Sequence, residues 1–415
     1  MSGKSFFKSA KPVYNALTEL SVEGIEHPVP GIVYTGDGGG EGMPLGGIGT
    51  GYVSIDLDGR MGQTTIFNDF PTHTSRTPFR LDAPFLAVRW DGARRALTVR
   101  TGEGGAGGGT PGGGEDAGGR TDGEPEACAR ALRYFGHFPV LDMEFELDLP
   151  LRVWVRAFSP FIPGDAEASN TPAFAVEARV HNLSGERGRG RIEFAFPKPA
   201  QKSGAACRPF ATVDGLMGVA VDAPRHERRY GGAVVSSSRP EVIRHSEDGD
   251  TLVGFSFEVG PGETETVRFA FGWSYPFFRT SDLHPRMHNY AARFDDAAAA
   301  AVWLYRAYDE LLARVLAWQD EVYGSEYPGW LKDWLVNGLY SLTKNTFWLY
   351  DGKKDAWFPN GRLFTHSESH FGCPITETMV CRIHGHIPAL LLFPELERST
   401  LEAFRFFQRP DGDIP

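Results

Sequence analysis

Apolar and polar residues alternate in short runs over most of the first 280 positions, and turn-forming residues separate the runs. An alternation of period two is typical of strands that bury one face. The runs that predict strands lie at 85–90, 96–100, 140–147, 151–158, 173–182, 191–196, 251–259 and 266–273. Because no helical pattern lies between them, they predict a large antiparallel β-sandwich.

The period of the pattern changes near residue 290. Between 294 and 323, apolar residues such as Leu304 and Leu311 recur at intervals of three and four, which predicts a long helix. The further predicted helices lie at 330–348, at 378–393 and from Pro394 onward. Strands are thus predicted before this change and helices after it.

This change predicts three segments. They are an N-terminal β-sandwich domain at 1–290, a linker with a long helix at 291–327, and the start of a helical domain at 328–415. The four predicted helices do not close a core unaided, so we expect the helical domain to be incomplete. A glycine-rich stretch at 101–127 cannot bury apolar surface, and we expect a mobile surface insertion there.

Gly47, Gly49 and Gly51 are spaced like the glycines of a phosphate-binding loop. Such a loop needs a strand before it and a helix after it, whereas residues 52–57 alternate like a strand. We therefore interpret the three glycines as places where the backbone approaches another element closely.

Composition and charge narrow the classes of function. The chain has 415 residues, of which 41% are hydrophobic, and this suits about two or three compact units. A formal net charge of -11 without a run of Lys and Arg argues against a nucleic-acid partner. Four scattered cysteines suit a reducing compartment, and we find neither a secretory signal pattern nor an apolar stretch that could span a membrane. We therefore expect a cytoplasmic protein.

The candidate chemistry lies in the segment 361–397. It places Glu368, His370 and Glu377 on a stretch that glycine and proline interrupt, directly before a predicted helix. Carboxylates in such a loop suit glycoside chemistry, in which one attacks the anomeric carbon and another protonates the leaving oxygen. His370 and Glu377 are candidates to bind a sugar, or else an ordinary loop histidine and a helix-terminal glutamate. Arg382 is a third candidate substrate-binding residue, which could anchor a carboxylate for catalysis, and the alternative is a plain ion pair with Glu377.

Four residues in the same segment are of types that bind zinc: Cys373, Cys381, His384 and His386. Seven residues separate the two cysteines, and the two histidines point to different sides of a helix. This spacing differs from that of structural zinc sites, so we predict no metal and no other cofactor.

Four stretches, together with the carboxylate segment, carry a family resemblance. They are PLGGIGTG (44–51), RAFSPFIPGDAEASNTP (156–172), NYAARFDDA (289–297) and PGWLKDWLVNGLYSLTKNTFW (328–348). In this order they resemble glycoside hydrolase family 116, the family of non-lysosomal, bile-acid-type β-glucosidases and glucosylceramidases. The resemblance implies an N-terminal β-sandwich packed on an (α/α)6 barrel, of which this chain holds the first helices. It also implies hydrolysis of β-glucosides, and in some members β-xylosides, with retention of configuration.

The resemblance also implies roles for single residues. The family's glutamate nucleophile corresponds, with an offset of one residue, to Glu368 in GRLFTHSESH. A sugar-binding aspartate of the family falls on Val380, and Glu377 is the candidate to replace it. Which of Glu368 and Glu377 is the nucleophile stays open at this point. The family's aspartate acid lies far beyond the nucleophile, so we expect this chain to be a fragment that is inactive without a missing C-terminal part.

The sequence therefore predicts a retaining β-glycosidase that acts on β-glucosides, with glucosylceramide-like lipids or xylosides as further candidate substrates. Its expected partner is a small glycoside, without nucleic acid and without a transmembrane segment. Two alternatives remain open. One is an inverting glycosidase or phosphorylase of related architecture, and the other is a catalytically silent sugar-binding protein, as the valine at 380 and the absent acid would suit.

Overall fold

A computed structural model describes residues 5–9, 16–36, 40–68, 80–99, 127–197, 205–225, 228–245, 251–279, 285–351, 361–369, 373–377, 382 and 385–413. The glycine-rich insertion predicted at 101–127 lies outside the described residues, apart from its last position. His370, Val380, Cys381 and His384 lie outside them as well.

Strands dominate the described residues. In chain order they are β1 (Phe7–Ser9), β2 (Thr18–Val22), β3 (Val29–Gly31), β4 (Val33–Tyr34), β5 (Met43–Leu45), β6 (Val53–Ile55), β7 (Arg60–Thr64), β8 (Arg80–Pro84), β9 (Leu86–Trp90), β10 (Ala93–Ala96), β11 (Ala131–His137), β12 (Val140–Glu146), β13 (Leu151–Phe158), β14 (Ala173–Asn182), β15 (Gly188–Ala195), β16 (Ala206–Ala211), β17 (Met217–Arg225), β18 (Arg228–Ser236), β19 (Pro240–His245), β20 (Thr251–Val259), β21 (Thr264–Ser274), β22 (Phe277–Arg279), β23 (Pro285–His288), β24 (Thr346–Tyr350), β25 (Arg362–Ser369) and β26 (Cys373–Thr376).

Two sheets pack face to face through aromatic side chains. Within the described part of the chain, one has nine strands in the order β16-β17-β18-β21-β14-β13-β12-β11-β4 and the other has five in the order β10-β9-β15-β20-β19. Phe255 of the smaller sheet stacks on Phe269 of the larger one, with ring centroids 4.6 Å apart, and Phe194 contacts Phe271 at 5.2 Å. All four rings are fully buried. This antiparallel, mostly β architecture agrees with the predicted N-terminal β-sandwich, whereas the (α/α)6 barrel stays a prediction.

The remaining three sheets of the described residues are smaller. Their strand orders are β1-β2-β3, β5-β6-β7-β8 and β22-β23-β24-β25-β26. The last of them joins strands from both sides of residue 290, since β23 pairs with β24. The division of the chain into domains at that residue stays a prediction.

All the described α-helices except α1 lie after residue 296. The described helices are α1 (Ala166–Ser169), α2 (Ala297–Arg306), α3 (Tyr308–Tyr323), α4 (Gly329–Asn337), α5 (Ser341–Lys344), α6 (Ile387–Leu392) and α7 (Pro394–Phe407), with 3₁₀ turns at Asn289–Ala292 and Gly338–Tyr340. The helix predicted from Pro394 is confirmed, and the one predicted at 294–323 is divided at Ala307.

Three predicted elements were wrong in type or length. The helix predicted at 330–348 ends at Lys344, because residues rich in aromatic and β-branched side chains follow and pair as β24. The helix predicted at 378–393 has a turn at Gly385, and α6 begins only after His386. Residues 97–99 form a bend rather than a strand, in which Leu97 N donates to Leu86 O over 2.8 Å.

The loop between β13 and β14 connects the sandwich to the helices and to β25. Asp165 caps α1 and pairs with Arg314 of α3 at 2.7 Å. Glu167 pairs with Arg362 at 2.7 Å. Phe161 packs edge-on against Phe393, which lies between α6 and α7, at 5.3 Å. These contacts hold the start of β25 and the start of α7 against the sandwich. The candidate site described below lies next to both elements.

Close approach also explains Gly49. Its φ is +66°, and a Cβ atom built there would lie 2.4 Å from Trp348 N. Its own N–H donates to Thr346 Oγ1 over 3.1 Å. The glycine thus lets the N-terminal sheets touch the start of β24, as the sequence interpretation expects.

Among the described helices, none combines the length and the apolar composition needed to cross a bilayer.

Candidate active site

Glu368 lies on β25, in a strand rather than in the loop that the sequence predicts. β25 pairs with β24 on one side and with β26 on the other. The pairing with β26 shifts register between Ser367 and Ser369, so Glu368 lies at the irregularity. Such bulges turn a side chain away from the regular alternation of a strand. Phe364, His366 and Ser367 are buried, whereas Glu368 is exposed.

No hydrogen bond or ion pair joins Glu368 to another described residue, so its carboxylate is open to solvent. No described residue therefore competes with a substrate for its two oxygens. This exposure is also compatible with an ordinary surface glutamate, and the role of Glu368 therefore stays a prediction.

Glu377 lies in the same hairpin, opposite His366, but its environment differs from that of Glu368. Its side chain is 10% exposed. One carboxylate oxygen accepts from His366 N at 2.6 Å, and Glu377 N donates to His366 O at 3.0 Å. The other oxygen accepts from Arg382 Nη1 at 2.5 Å. Both oxygens of Glu377 are therefore bound within the protein.

Arg382 and His386 connect Glu377 to Glu397 of α7. Arg382 Nη2 donates to Glu397 Oε1, and His386 Nδ1 lies 2.6 Å from Glu397 Oε2. His386 Nε2 lies 3.4 Å from Glu377 Oε2, which closes the ring of contacts. All four side chains are at most 17% exposed. We call Glu377, Arg382, His386 and Glu397 the charge network.

Burial governs the electrostatics of this region. It raises the pKa of Glu377, and the hydrogen bond from His366 N and the charges of His386 and Arg382 offset this rise only in part. Burial also lowers the pKa of His366 to about 4. The His366 ring lies 5.2 Å from the ring of His386, so a neutral imidazole faces the charge network.

The structure brings together two of the four predicted site residues, Glu377 and Arg382, as the ion pair that the sequence suggests. Glu368 lies on the neighbouring strand, and His370 lies outside the described residues. Sequence reasoning missed Glu397, His386 and His366 as members of this cluster. Glu397 was visible in the sequence as a glutamate on the helix predicted from Pro394. Its contact with Arg382 was not visible, because only the turn before α7 brings the two residues together.

A groove of about 340 Å³, lined by both apolar and polar residues, lies where the sandwich meets α4. Glu41, Asp333 and Lys344 are among its lining residues, and Glu368 is not. Lys344 Nζ is bound to Glu41, and Asn337 Nδ2 donates to Asp333 at 2.8 Å. The groove therefore offers charges that are already paired within the protein, at a distance in sequence from the predicted catalytic segment.

Within the described residues, no group of three or more His, Cys, Asp and Glu side chains could hold a metal ion. Two of the four residues weighed as zinc ligands, Cys381 and His384, lie outside those residues. His386 is instead engaged by Glu397 and Glu377.

Three solved structures illustrate the comparisons with known folds. The GH36 α-galactosidase AgaB from Geobacillus stearothermophilus is 12% identical, with a TM-score of 0.26, over 56% of this chain and 39% of that one. A putative kojibiose phosphorylase from the human microbiome is 10% identical, with a TM-score of 0.29, over 76% and 37%. A putative aldose 1-epimerase from Klebsiella pneumoniae is 10% identical, with a TM-score of 0.28, over 62% and 80%.

This chain thus spans well under half the length of the galactosidase and of the phosphorylase. All three TM-scores are below 0.5, so these similarities support no statement about fold or activity. A comparison with curated protein sequences gives no match.

The comparison with protein families is specific. Residues 42–242 match the family described as beta-glucosidase 2, glycosyl-hydrolase family 116 N-term. The matched range covers most of the sandwich strands and two of the stretches, 44–51 and 156–172, on which the sequence resemblance rests. The match confirms that resemblance: residues 42–242 are similar to the N-terminal domain of glycosyl-hydrolase family 116.

Proposed function

We propose that this protein is a retaining β-glycosidase with Glu368 as its nucleophile, acting on β-glucosides. Glucosylceramide-like lipids and β-xylosides are further proposed substrates, by the family resemblance. The observation that carries the choice of residue is the contrast between the two candidate glutamates. Glu368 is exposed without a described partner, whereas both carboxylate oxygens of Glu377 are bound by the protein.

A nucleophile must be ionised and must reach the anomeric carbon. Exposure lets the carboxylate of Glu368 meet the second condition. Glu377 meets the second condition poorly, since Arg382 and His366 occupy its oxygens, and burial raises its pKa. We therefore assign the attack to Glu368 and a structural role to Glu377.

The proposed reaction has two displacements. Glu368 attacks the anomeric carbon, the bond from that carbon to the aglycone oxygen breaks, and a carboxylic acid protonates the leaving oxygen. Water then attacks the glycosyl-enzyme, the same second group accepts its proton, and Glu368 is released. By the family resemblance the second group is an aspartate that lies far beyond the nucleophile along the chain. Retention requires the two carboxyl groups to lie about 5 to 5.5 Å apart.

The family resemblance also supports the predicted organisation. We propose that residues 1–290 form a sandwich domain, that residues 328–415 begin an (α/α)6 barrel, and that the protein acts in the cytoplasm. The four scattered cysteines support this location.

Turnover of an aryl β-glucoside by the natural gene product tests the proposal. Glu368→Gln should abolish turnover, and Glu368→Gly with added azide should restore release of the aryl group as a glycosyl azide forms. Glu395→Gln, at an exposed glutamate of α7, is the matched control and should change little. Unchanged turnover in Glu368→Gln would remove Glu368 from the mechanism.

The configuration of the first product separates the alternatives. Proton NMR should show β-glucose first, before mutarotation. α-Glucose first would indicate an inverting glycosidase, and a strict need for phosphate would indicate a phosphorylase. Saturable glucose binding without hydrolysis would indicate a catalytically silent sugar-binding protein.

A further inference from the structure

The charge network adjoins the strand that carries Glu368, and its members lie between β26 and α6 and on α7. We infer that Glu377, Arg382, His386 and Glu397 act as positioning residues, which lock the hairpin of β25 and β26 onto α7 and thereby orient Glu368. This inference rests on the proposed function. None of the four residues needs to touch the substrate for this role.

The first step of the argument is the contact between Glu377 and β25. Glu377 holds the backbone of His366 from both sides, through His366 N to its carboxylate and its own N–H to His366 O. His366 lies two residues before Glu368 on the same strand. A shift of Glu377 would therefore move the strand next to the proposed nucleophile.

The second step concerns the backbone of Glu377 itself. Its φ is +62°, in the left-handed region that residues other than glycine seldom adopt. Such a conformation persists only where the surroundings fix it. Here the two hydrogen bonds with His366 and the ion pair with Arg382 provide that constraint.

The third step is the bridge made by Arg382. Its guanidinium donates through Nη1 to Glu377 and through Nη2 to Glu397, so a single planar group spans the hairpin and α7. The group also lies over the ring of Phe404 of α7, 4.9 Å from the centroid. A lysine is a point charge on a flexible stem, and it cannot reproduce this two-sided geometry.

The fourth step is the second attachment of the same strand to the same helix. Phe364 N donates to Ser399 Oγ at 3.0 Å, and Thr400 Oγ1 donates to Phe364 O at 2.6 Å. This attachment holds β25 at its middle. The charge network adds a second attachment at His366, two residues before Glu368. A strand held at one point can still rotate about it, whereas a strand held at two points keeps its direction.

Burial makes the network sensitive to the loss of one member. The side chains of Glu397 and His386 are 6% and 4% exposed. Removing one partner of a buried ion pair leaves the other without compensation, so the remaining groups rearrange. The expected result is a displaced Glu368 on a folded protein, because sites lose activity when the supporting residues of the reactive group loosen.

The experiment uses the natural gene product with Arg382→Lys, Glu397→Gln and His386→Gln. The last is the mildest, since glutamine retains a donor for Glu397. Glu402→Gln is the matched control, because Glu402 lies on α7 and pairs with Arg398, which is 80% exposed. Hydrogen exchange of the peptide 362–369 and steady-state kinetics on an aryl β-glucoside are measured for each variant that melts cooperatively.

We expect exchange in 362–369 to rise about tenfold or more and kcat to fall by a similar factor, with KM changed less than about threefold, because positioning residues do not touch the substrate. The control should match the natural protein in both measurements. A folded Arg382→Lys or His386→Gln variant with natural exchange and natural kcat would overturn the inference.

Faster exchange with unchanged kcat would also overturn the inference, because the charge network would then stabilise the strand without orienting Glu368 for catalysis. If the natural protein hydrolyses no glycoside, the proposed function fails and the catalytic part of the inference fails with it. The exchange measurement still decides in that case whether the lock exists.

Discussion

Asp142 of the sandwich and Glu377 of the charge network are both buried carboxylates that an arginine and a histidine contact. Asp142 accepts from Arg156 Nε and Nη2, each at 2.7 Å, and lies 3.3 Å from His137 Nε2. Burial alone would raise the pKa of Asp142, but the charge and hydrogen bonds of Arg156 and the contact with His137 lower it to about 2. For Glu377 burial prevails, and its pKa is raised.

Geometry accounts for this difference. Asp142 receives both ends of one guanidinium fork, and such bidentate pairs are the strong ones. Glu377 receives one nitrogen of Arg382, whose other end serves Glu397. A carboxylate, an arginine and a histidine thus form both groups. In the sandwich the carboxylate is strongly stabilised in its charged form, and beside the candidate site the arginine is shared and stabilises the charge less.

The largest expected effect is on Asp142. Asp142→Asn should lower the free energy of unfolding by about 3 to 5 kcal/mol, because Arg156 would remain buried without its partner. Chemical denaturation measures this. Asp148→Asn, at a half-exposed carboxylate paired with Arg95, should cost about 1 kcal/mol or less. Both pairs are bidentate, so equal losses in the two variants would contradict the view that burial sets the cost of losing the carboxylate.

The pH dependence of stability should differ in sign between the two carboxylates. The pKa of Asp142 is depressed on folding, so its contribution is complete above the unfolded pKa of about 3.9 and is lost as pH falls through about 2. The advantage of the natural protein over Asp142→Asn should shrink by about 2 kcal/mol between pH 5 and pH 2.

The pKa of Glu377 is raised, so its contribution is complete below the unfolded pKa of about 4.3 and is lost as pH rises through the folded pKa. Relative to Glu377→Gln, the natural protein should therefore lose stability on going from pH 4 to pH 7. The measurement is the denaturation of the natural protein, Asp142→Asn and Glu377→Gln between pH 2 and pH 7. Parallel curves for Asp142 and Glu377 would contradict the contrast.

Glu377→Gln should have a smaller effect at neutral pH, about 1 to 2 kcal/mol in the free energy of unfolding. Glutamine keeps an oxygen for His366 N, and Arg382 keeps Glu397. Thermal and chemical denaturation should agree on this value. A loss as large as that of Asp142→Asn would show that the charge of Glu377 is as essential as that of Asp142.

The smallest expected effect is on the exposed pair of Arg398 and Glu402 on α7. Glu402→Gln should change the free energy of unfolding by about 0.5 kcal/mol or less, because an i,i+4 pair in water contributes little. Chemical denaturation at low and high salt measures it. A loss above 1 kcal/mol would mean that exposure does not separate the weak pairs from the strong ones.

The sequence was a good guide to the sandwich and a poor one to the candidate site. Strands such as β13 and β20 follow from alternation, since a buried face imposes period two wherever the strand pairs. β24 was missed because its aromatic residues continue a helical pattern, and only pairing with β23 and β25 fixes them as a strand.

The charge network shows a second reason. The pair of Glu377 and Arg382 is visible in the sequence, because only four residues separate the two positions along the chain. Glu397 is not, because the turn at Phe393 brings α7 back over the hairpin, and no local pattern encodes that return. A tertiary contact between charges on different elements leaves no trace in periodicity.

Trapping the glycosyl-enzyme tests most directly whether Glu368 rather than Glu377 is the nucleophile. A 2-deoxy-2-fluoro-β-glucoside with a dinitrophenolate leaving group does not depend on the acid for departure, so the natural gene product can be labelled and its peptides sequenced by mass spectrometry. We predict the fluoroglucosyl group on Glu368, its loss in Glu368→Gln and its retention in Glu377→Gln. A label on Glu377, or a labelled Glu368→Gln variant, would contradict the account.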